Sequence, residues 1–293
     1  MTPTVAVIVL NWNGREDTLE CLQSLRRSDC PATSVIVVDN GSADGSVRAV
    51  RDLFPEIRII ENGRNLGFVG GNNVGLRAAL AQGADLVFVL NNDTVLHPTC
   101  ISELVRALDQ DPAVGIVGPL MQRTIRPDLV DMGGNFDFRL GSVHLLRFIE
   151  GETPSGLLPI DYVWGCGLMV RAEVLQSVGL FDPRYGAYYE DADFCMRARA
   201  HGYRTAVATQ ARMVHKIGRS GEKRFAWQTA MRLRNHLLFF LSYAQPRQYP
   251  LLVPALLLFQ FPSMCVRTAR LYLARKLMPR YRDRPISLWY RGE

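Results

Sequence analysis

The sequence predicts an α/β fold with a mostly parallel β-sheet, followed by a C-terminal helical extension that is apolar and basic. Within residues 1–110, short β-branched apolar runs alternate with helical patterns, as is typical of parallel strands joined by crossover helices. Each apolar run ends in a polar turn, and the first three of these four turns contain glycine. After residue 230 the chain becomes apolar and rich in proline, and it ends in a basic cluster.

The elements follow from these patterns in chain order. Strands are expected at Val5–Leu10, Ser34–Val38, Ile57–Ile60 and Leu86–Leu90, with helices near residues 16–27, 45–53 and 71–82. Residues 111–165 are less regular, and further strands are expected at Val114–Gly118, Phe136–Phe138 and Val143–Phe148. A strand at Gly167–Val170 then leads into a helix at 172–178, and a helix at Asp193–His201 ends at Gly202. We expect both parts to share one continuous sheet.

The C-terminal extension contains two apolar runs, Leu237–Leu241 and Leu251–Pro262. Prolines at 246, 250, 254 and 262 interrupt them, and no uncharged stretch of about 20 residues avoids these prolines. The pattern therefore argues against a conventional membrane-spanning helix and favours an interfacial or re-entrant segment.

Composition and charge narrow the class of protein. A chain of 293 residues with 48% hydrophobic and 21% charged residues is ordinary for a globular fold, which excludes collagen-like, coiled-coil and disordered classes. Residues 267–293 contain eight basic and two acidic residues, so they account for the whole net charge of +6. A neutral body with a basic end argues against nucleic-acid binding and favours an anionic phospholipid surface or a lipid diphosphate.

Two further patterns bear on the cellular compartment. The six cysteines include no C-x-x-C pair, so we expect reduced thiols rather than a disulfide framework or a zinc site. The apolar run Val5–Leu10 is too short for a signal peptide and no basic residue precedes it. The body is therefore expected to be cytoplasmic.

The carboxyl ends of the first four predicted strands indicate where a ligand would bind. Polar residues follow each strand, and parallel α/β sheets bind their ligands at this edge. Asp39 either makes an Asx turn or accepts the imide N–H of a uracil or thymine base. Asp93 lies among oxygen-bearing residues, which suits Mg²⁺ or Mn²⁺ and through it a diphosphate. The first turn lacks G-x-G-x-x-G and the chain lacks G-x-x-x-x-G-K-[ST], which excludes typical dinucleotide oxidoreductases and P-loop enzymes.

These turns, the glycine-rich Asn65–Asn73 and the segment Gly179–Arg197 resemble the family 2 inverting glycosyltransferases of the nucleotide-sugar-binding A-type fold. The resemblance covers residues 4–235 and is greatest to rhamnosyltransferase-like members that build polysaccharides on lipid carriers. It implies the Rossmann-like sheet of that fold, with a nucleotide-sugar-binding half at 1–110 and an acceptor-binding half at 111–230. Residues 231–293 would then be an extension that binds membrane or forms an oligomer. Asn91 stands where the first acid of the usual Asp-x-Asp signature lies, which leaves Asp93 alone.

The resemblance also implies roles for individual residues. Asp39 would hold the base, and Asp93 and His215 would hold the Mg²⁺ or Mn²⁺ ion on the diphosphate. Trp164 is either a platform for the donor sugar or a core residue. The other residues expected to bind the donor are Asn11, Asn13, Asn40, Arg64, Gly71, Asn72 and Asn92.

Two adjacent carboxylates, Glu190 and Asp191, are the candidate catalytic residues. They are expected just ahead of a helix in which Asp193 and Arg197 form an i,i+4 pair. Acidic residues at such a position often only stabilise the helix start. Inverting transfer, however, needs a carboxylate that removes the proton of the acceptor hydroxyl, and we assign this to Asp191, with Glu190 as the alternative.

The predicted function is transfer of a sugar, with L-rhamnose as one candidate, from a UDP- or dTDP-linked donor. The acceptor would be a hydroxyl of a glycan or of a polyprenyl-diphosphate-linked molecule, in cell-surface polysaccharide synthesis. The protein is expected on the cytoplasmic face of the membrane, held by an anionic membrane surface, with homodimerisation through the extension as the alternative. A non-catalytic, membrane-associated protein that binds nucleotide sugars or glycans is the competing hypothesis.

Overall fold

The structure is a computed structural model that describes residues 3–30, 33–124, 126–216 and 225–277. Its first part alternates strands and helices as predicted. The strands are β1 (Val5–Asn11), β2 (Thr33–Asp39), β3 (Arg58–Glu61), β4 (Leu86–Asn91) and β5 (Thr94–Leu96). The helices are α1 (Arg15–Arg26), α2 (Ser46–Leu53), α3 (Gly67–Ala81) and α4 (Cys100–Gln110).

The second part adds six strands and two helices to this frame. The strands are β6 (Val114–Arg123), β7 (Arg126–Asp137), β8 (Ser142–Ile149), β9 (Leu157–Ile160), β10 (Gly167–Arg171) and β11 (Arg204–His215). The helices are α5 (Ala172–Val178) and α6 (Glu190–Ala200). The remaining helices are α7 (Phe225–Tyr243), α8 (Tyr249–Ala255) and α9 (Phe261–Leu277).

One sheet of 11 strands unites both parts, with the central order β3-β2-β1-β4-β10-β6-β11-β5. The pairs within β1 to β4 are parallel, as is the pair of β6 and β11. Strand β10 is antiparallel to its neighbours β4 and β6, so it joins a parallel half to a mixed half. The predicted α/β fold is thus confirmed.

The strands are apolar because the sheet is covered by helices. Strand β1 and strand β4 are buried over nearly their whole length, and the apolar faces of α1 and α4 complete one core with them. On α3, glycines permit close packing: a Cβ at Gly75 would lie 2.4 Å from Ile8 Cγ2, and one at Gly71 would lie 2.4 Å from Leu10 Cδ1. This contact fixes α3 directly behind the ends of β1 and β2.

The chain divides into two compact units. The first comprises residues 1–134 and 146–216, and the second comprises residues 135–145 and 217–293. In the second unit, four phenylalanines of the 135–145 segment and α7 form an aromatic cluster: Phe136, Phe138, Phe239 and Phe240. Leu252 and Leu256 pack against Gly141 in the same unit.

Several elements differ from the sequence-based expectation. Helix α6 begins at Glu190 rather than Asp193, so both candidate carboxylates lie inside its first turn. Helix α3 begins at Gly67, within a stretch whose glycines suggested a loop. Helix α4 and the short strands β5 and β9 were not predicted, because short or purely amphipathic segments carry a weak signal beside irregular sequence.

The C-terminal prolines do not interrupt the helix, contrary to the prediction. Residues Pro246–Arg270 form one helix that is long and apolar enough to cross a membrane, judged by length and composition alone. Pro250 lies in the first turn of α8, where its missing N–H costs no hydrogen bond. Pro254 lies inside α8, and a π-helical turn at Leu256–Gln260 follows it.

Candidate active site

The predicted ligand edge brings four strand ends together. In the parallel register Asn11 lies beside Asp39, Leu10 beside Asn91, and Asp39 beside Glu61. Polar side chains at the ends of β1, β2 and β4 therefore meet at one edge of the sheet. This edge contains most of the residues that the sequence assigned to donor binding.

Asn11 is the centre of a buried hydrogen-bond network at this edge. Its Nδ2 donates to Asp39 Oδ1 and to Ser46 Oγ, both at 2.8 Å. Its Oδ1 accepts from Thr18 Oγ1 at 2.9 Å, and from Asn92 Nδ2 at 3.3 Å. Since Asn11 is only 1% exposed and its amide is engaged by the protein, its side chain positions the neighbouring loops. The expected nucleoside contact of Asn11 stays a prediction.

Asp39 forms an Asx turn, which was one of the two roles predicted for it. Its Oδ2 accepts the backbone N–H of Ser42 at 2.8 Å, and Oδ1 accepts from Asn11. Each carboxylate oxygen has a second lone pair, so the turn does not consume the whole acceptor capacity. Asp39 is fixed in place by these bonds, and its role toward a base stays a prediction.

Other residues that were predicted to bind the sugar donor form hydrogen bonds that fix neighbouring loops in place. Asn13 has a left-handed backbone (φ 52°), and its Oδ1 accepts the backbone N–H of Ala43 at 2.8 Å. Asn40 donates to the Gly67 carbonyl at 3.0 Å and accepts from Asn62 Nδ2 at 2.8 Å. Exposed Arg64 lies next to Gly41, where a Cβ would come within 2.9 Å of the Arg64 backbone.

Gly71 and Asn72 lie on α3, where they are buried. The absent side chain of Gly71 lets the helix approach Leu10 and Asn40, which is a packing role. Asn72 donates to the Phe68 carbonyl at 3.1 Å. Neither residue is exposed at the ligand edge, so the structure gives them a positioning role and leaves any donor contact a prediction.

Asp93 and His215 are brought together although 122 residues separate them. Strand β11 pairs with β5 so that His215 lies opposite Thr94, and His215 Nε2 is 3.1 Å from Asp93 Oδ1. Burial alone would raise the pKa of Asp93, but His215 holds it below its ordinary value. Burial also disfavours a charged His215, yet Cys166 and Asp93 outweigh it and raise the pKa of His215 to about 10.

The pair fits a divalent cation by its donor chemistry. His215 Nδ1 is buried and has no hydrogen-bond partner among the described residues, although the Cys166 thiol is close enough to interact electrostatically. A carboxylate and a neutral imidazole are suitable ligands for Mn²⁺, and the carboxylate also suits Mg²⁺. A bound cation would displace the proton that Asp93 otherwise stabilises on His215. The described residues contain no group of three or more His, Cys, Asp or Glu side chains that could hold a metal ion. Remaining ligands would have to come from a diphosphate and water.

Asp191 is held by two backbone donors. Its Oδ2 accepts the N–H of Gly165, and its Oδ1 accepts the N–H of Ala192, both at 2.8 Å. Burial raises the pKa of Asp191, while these two bonds oppose the shift because they stabilise the carboxylate. Asp191 is partly exposed, as a base that must meet a substrate hydroxyl requires.

Glu190 is in a different environment. It is 5% exposed, and its Oε2 has no hydrogen-bond partner among the described residues. Burial and the neighbouring charge of Asp191 raise its pKa well above the ordinary value. The surroundings therefore favour protonation of Glu190 more strongly than protonation of Asp191. The pair of Asp193 and Arg197 is a structural ion pair at 2.8 Å, as predicted.

A short loop at residues 164–167 connects the base to the metal-binding pair. Gly165 donates to Asp191, and the Cys166 carbonyl accepts the N–H of Asn91 at 3.1 Å. Trp164 is partly buried and packs edge-to-face on Tyr162, with ring centres 5.5 Å apart. Sequence reasoning missed the linking role of Gly165 and Cys166, because backbone hydrogen bonds leave no side-chain signature.

The chain is similar to known glycosyltransferases. The profile of the family described as "Glycosyl transferase family 2" matches residues 6–179. The Low-salt glycan biosynthesis hexosyltransferase Agl10 of Haloferax volcanii is 29% identical over 68% of this chain, which spans 62% of that relative's length. An N-acetylglucosaminyl-diphospho-decaprenol L-rhamnosyltransferase of Mycobacterium tuberculosis is 26% identical over 73% of this chain and 76% of its own.

Two further similarities concern the donor class and the fold. The dTDP-rhamnosyl transferase RfbF of Shigella flexneri is 24% identical over 74% of this chain and 71% of its own. The mannosyltransferase PcManGT of Pyrobaculum calidifontis, solved with GDP-Man and Mn²⁺, superimposes with a TM-score of 0.61 at 22% identity, covering 94% of this chain and 76% of its own. Since the family profile matches more than half of the sequence, the chain belongs to glycosyl transferase family 2.

Proposed function

We propose that the protein is an inverting glycosyltransferase that moves a sugar from a UDP- or dTDP-linked donor to a hydroxyl of a glycan or polyprenyl-diphosphate-linked acceptor. L-Rhamnose is the first sugar to test, because two of the relatives are named rhamnosyltransferases. The observation that carries the proposal is the 164–167 loop, which bonds to the candidate base and to the strand end before Asp93.

In this mechanism the residues at the sheet edge have separate roles. Asp39 and its loop face the nucleoside, and Arg64 supplies an exposed cation at the same edge. Asp93 and His215 would hold Mg²⁺ or Mn²⁺, and the ion would supply positive charge for the departing nucleoside diphosphate. Asp191 removes the proton of the acceptor hydroxyl while that oxygen attacks the anomeric carbon from the side opposite the diphosphate.

Within this proposal Asp191 is the base, and Glu190 is not. Two backbone N–H groups orient the Asp191 carboxylate and stabilise its charged form, whereas Glu190 is buried and its Oε2 has no hydrogen-bond partner among the described residues. A protonated Glu190 also lowers the negative charge beside Asp191. Glu190 is thus a positioning residue in this proposal.

We also propose that the second unit attaches the protein to an anionic membrane on its cytoplasmic side. The helix at Pro246–Arg270 carries large exposed apolar side chains, among them Leu257, Leu258 and Phe259. Residues 267–293, which begin within this helix, supply the whole net positive charge. Apolar surface combined with basic residues is the arrangement that holds a protein at an anionic bilayer. Homodimerisation through the same helix is the alternative outcome.

The direct test is a thermal-shift screen of purified protein against UDP- and dTDP-linked sugars, with and without Mn²⁺. A ligand at 100 times its dissociation constant adds about 2.7 kcal/mol of stability, which such a screen detects easily. The proposal predicts that one donor raises the melting temperature and that Mn²⁺ increases the effect. If no nucleotide sugar stabilises the protein under either condition, the proposed donor class is wrong.

A further inference from the structure

Asn73 on helix α3 makes two hydrogen bonds with the backbone of one distant residue. Its Nδ2 donates to the Phe181 carbonyl at 2.8 Å, and its Oδ1 accepts the Phe181 N–H at 3.1 Å. Asn73 is 6% exposed and Phe181 is 2% exposed, so water cannot replace these bonds. An amide side chain presents a donor and an acceptor side by side, which is what the N–H and the carbonyl of one residue require. A contact across 108 residues of chain therefore fixes Phe181 on α3.

The first turn of α3 holds the same segment at a second point. Val69 donates its backbone N–H to the Gly186 carbonyl at 3.1 Å. This N–H lies in the first helical turn, where it has no partner within the helix. In the same turn the Gly67 carbonyl accepts from Asn40, at the edge of the sheet predicted to bind the nucleoside. Helix α3 thus contacts both that edge and the segment that follows Phe181.

Helix α6 bonds to this segment from its other end. Arg197 Nη1 donates to the Val178 carbonyl at 2.9 Å, and Arg197 Nη2 donates to the Leu180 carbonyl at 2.8 Å. The rings of Phe181 and Phe194 pack edge-to-face, with their centres 5.4 Å apart. The short segment before and at Phe181 is therefore held by α3 and by α6, and it fixes the position of one helix relative to the other.

The chain enters α6 through two residues with an unfavourable backbone. Tyr188 and Tyr189 have left-handed conformations, with φ of 68° and 71°. Residues with a side chain rarely adopt this conformation, and it persists only where the surrounding structure holds it. The Tyr189 carbonyl accepts the N–H of Asp193 at 2.8 Å, which closes the first turn of α6 around Asp191. The position of Asp191 therefore depends on how firmly the preceding segment is held.

We propose that Asn73 is a positioning residue for the candidate base. By fixing Phe181 it holds the segment 181–189, and this sets where α6 begins and where Asp191 meets the N–H of Gly165. The role of Asp191 as the base rests on the proposed function, whereas the effect of Asn73 on the start of α6 does not.

Amide hydrogen exchange of the full-length protein, followed by mass spectrometry, tests the positioning. Thr209→Ala is the matched control, because buried Thr209 Oγ1 likewise accepts the N–H of Gly156 at 2.8 Å and donates to its carbonyl at 2.9 Å. Asn73→Ala and Thr209→Ala should both lower the melting temperature, since each leaves a backbone N–H and carbonyl without their side-chain partner. Only Asn73→Ala should accelerate exchange in a peptide covering residues 187–195, by about tenfold or more. Unchanged exchange there, or equal acceleration in Thr209→Ala, overturns the proposal.

The conservative variant Asn73→Asp tests whether the two bonds are the cause. A protonated carboxyl group can accept the Phe181 N–H and donate to the Phe181 carbonyl, whereas a carboxylate can only accept. Burial favours the protonated form. At about pH 5 the exchange of residues 187–195 should therefore match wild type measured at the same pH. Acceleration as large as that in Asn73→Ala at this pH overturns the proposal.

Transfer assays connect the positioning to catalysis. Asn73→Ala should lower kcat by roughly tenfold or more, because a misplaced base no longer reaches the acceptor hydroxyl. Its affinity for UDP or dTDP in the presence of Mn²⁺ should stay within about threefold of wild type, because Asp39 and the metal-binding pair are untouched. A wild-type kcat in this variant overturns the link to the base. If the wild-type protein transfers no sugar, the proposed function fails, and the exchange experiment still decides whether Asn73 positions α6.

Discussion

Adjacent carboxylates in this protein differ in their hydrogen-bond donors, and this difference separates their roles. Asp191 receives two backbone N–H bonds, and Glu190 is enclosed with one oxygen unpartnered among the described residues. The Glu-Asp sequence alone suggested both residues and could not show which one the 164–167 loop contacts. The sequence already favoured Asp191, and the structure adds its contact with a loop that is 26 residues away in the chain.

Asp191→Asn should keep donor binding and lose transfer by roughly a hundredfold or more, because the amide cannot accept the proton of the acceptor hydroxyl. Glu190→Gln mimics the protonated acid and should retain transfer within about tenfold. Steady-state transfer rates and nucleoside diphosphate affinities of the two variants provide the measurement. Wild-type turnover in Asp191→Asn, with turnover lost in Glu190→Gln, would reverse the assignment.

Glu190 should also make stability depend on pH. Its folded-state pKa lies above its ordinary value of 4.5, so the folded protein binds more protons than the unfolded chain above that pH. This contribution to stability is complete at low pH and is lost as pH rises through the folded-state pKa. The advantage of Glu190→Gln over wild type in melting temperature should therefore grow from about pH 5 to pH 8. An advantage that does not change with pH would show that Glu190 is not protonated in the folded protein.

Asp93 and His215 supply the third prediction at this scale. Asp93→Ala and His215→Ala should each weaken Mn²⁺ binding, measured by electron paramagnetic resonance of the free ion, and remove the effect of Mn²⁺ on nucleotide affinity. Glu61→Gln, at an exposed carboxylate of the same sheet edge, is the control and should change neither property. Unchanged Mn²⁺ binding in both test variants would exclude this metal site.

At the scale of single elements, the buried strands were predictable and the helix boundaries were not. Strands β1 and β4 are apolar up to their last residue, and this signal is local. The start of α3 at Gly67 was hidden by glycines that serve packing against β1. The C-terminal prolines were misjudged because a π-helical turn lets a helix continue past Pro254, which local sequence does not reveal.

The packing of α3 on the sheet gives a prediction at this scale. Gly75→Ala would place a Cβ 2.4 Å from Ile8 Cγ2, and the overpacking should cost roughly 1–3 kcal/mol of unfolding free energy. Ile8→Ala removes the clashing atom, so the losses of the two single variants should not add in the double variant. Urea unfolding of the four proteins measures this coupling. Simple additivity would mean that the close contact is not the reason for the glycine.

At the scale of the whole molecule, the two proposed tasks fall to two compact units. The first unit contains the candidate base and the metal-binding pair, and the second contains the helix with exposed apolar side chains. Composition predicted an apolar and basic end, because charge and hydropathy are properties of long stretches. Composition does not predict whether a membrane or a second copy of the chain covers the apolar surface.

Leu258→Gln combined with Phe259→Gln should reduce cosedimentation with anionic liposomes at low salt, because these side chains are exposed and their loss leaves the buried face of the helix intact. Leu53→Gln, at an exposed leucine of the first unit, is the matched control. A wild-type protein that ignores anionic liposomes and sediments as a dimer would assign the helix to an oligomer interface instead.

The stereochemistry of transfer tests the central claim most directly. A single displacement in which Asp191 serves as the base must invert the configuration at the anomeric carbon of the donor sugar. Nuclear magnetic resonance of the product formed by the purified protein, with the donor selected in the thermal-shift screen, measures that configuration. The account predicts the anomer opposite to that of the donor. A product with the donor's own anomeric configuration would contradict the mechanism and the role given to Asp191.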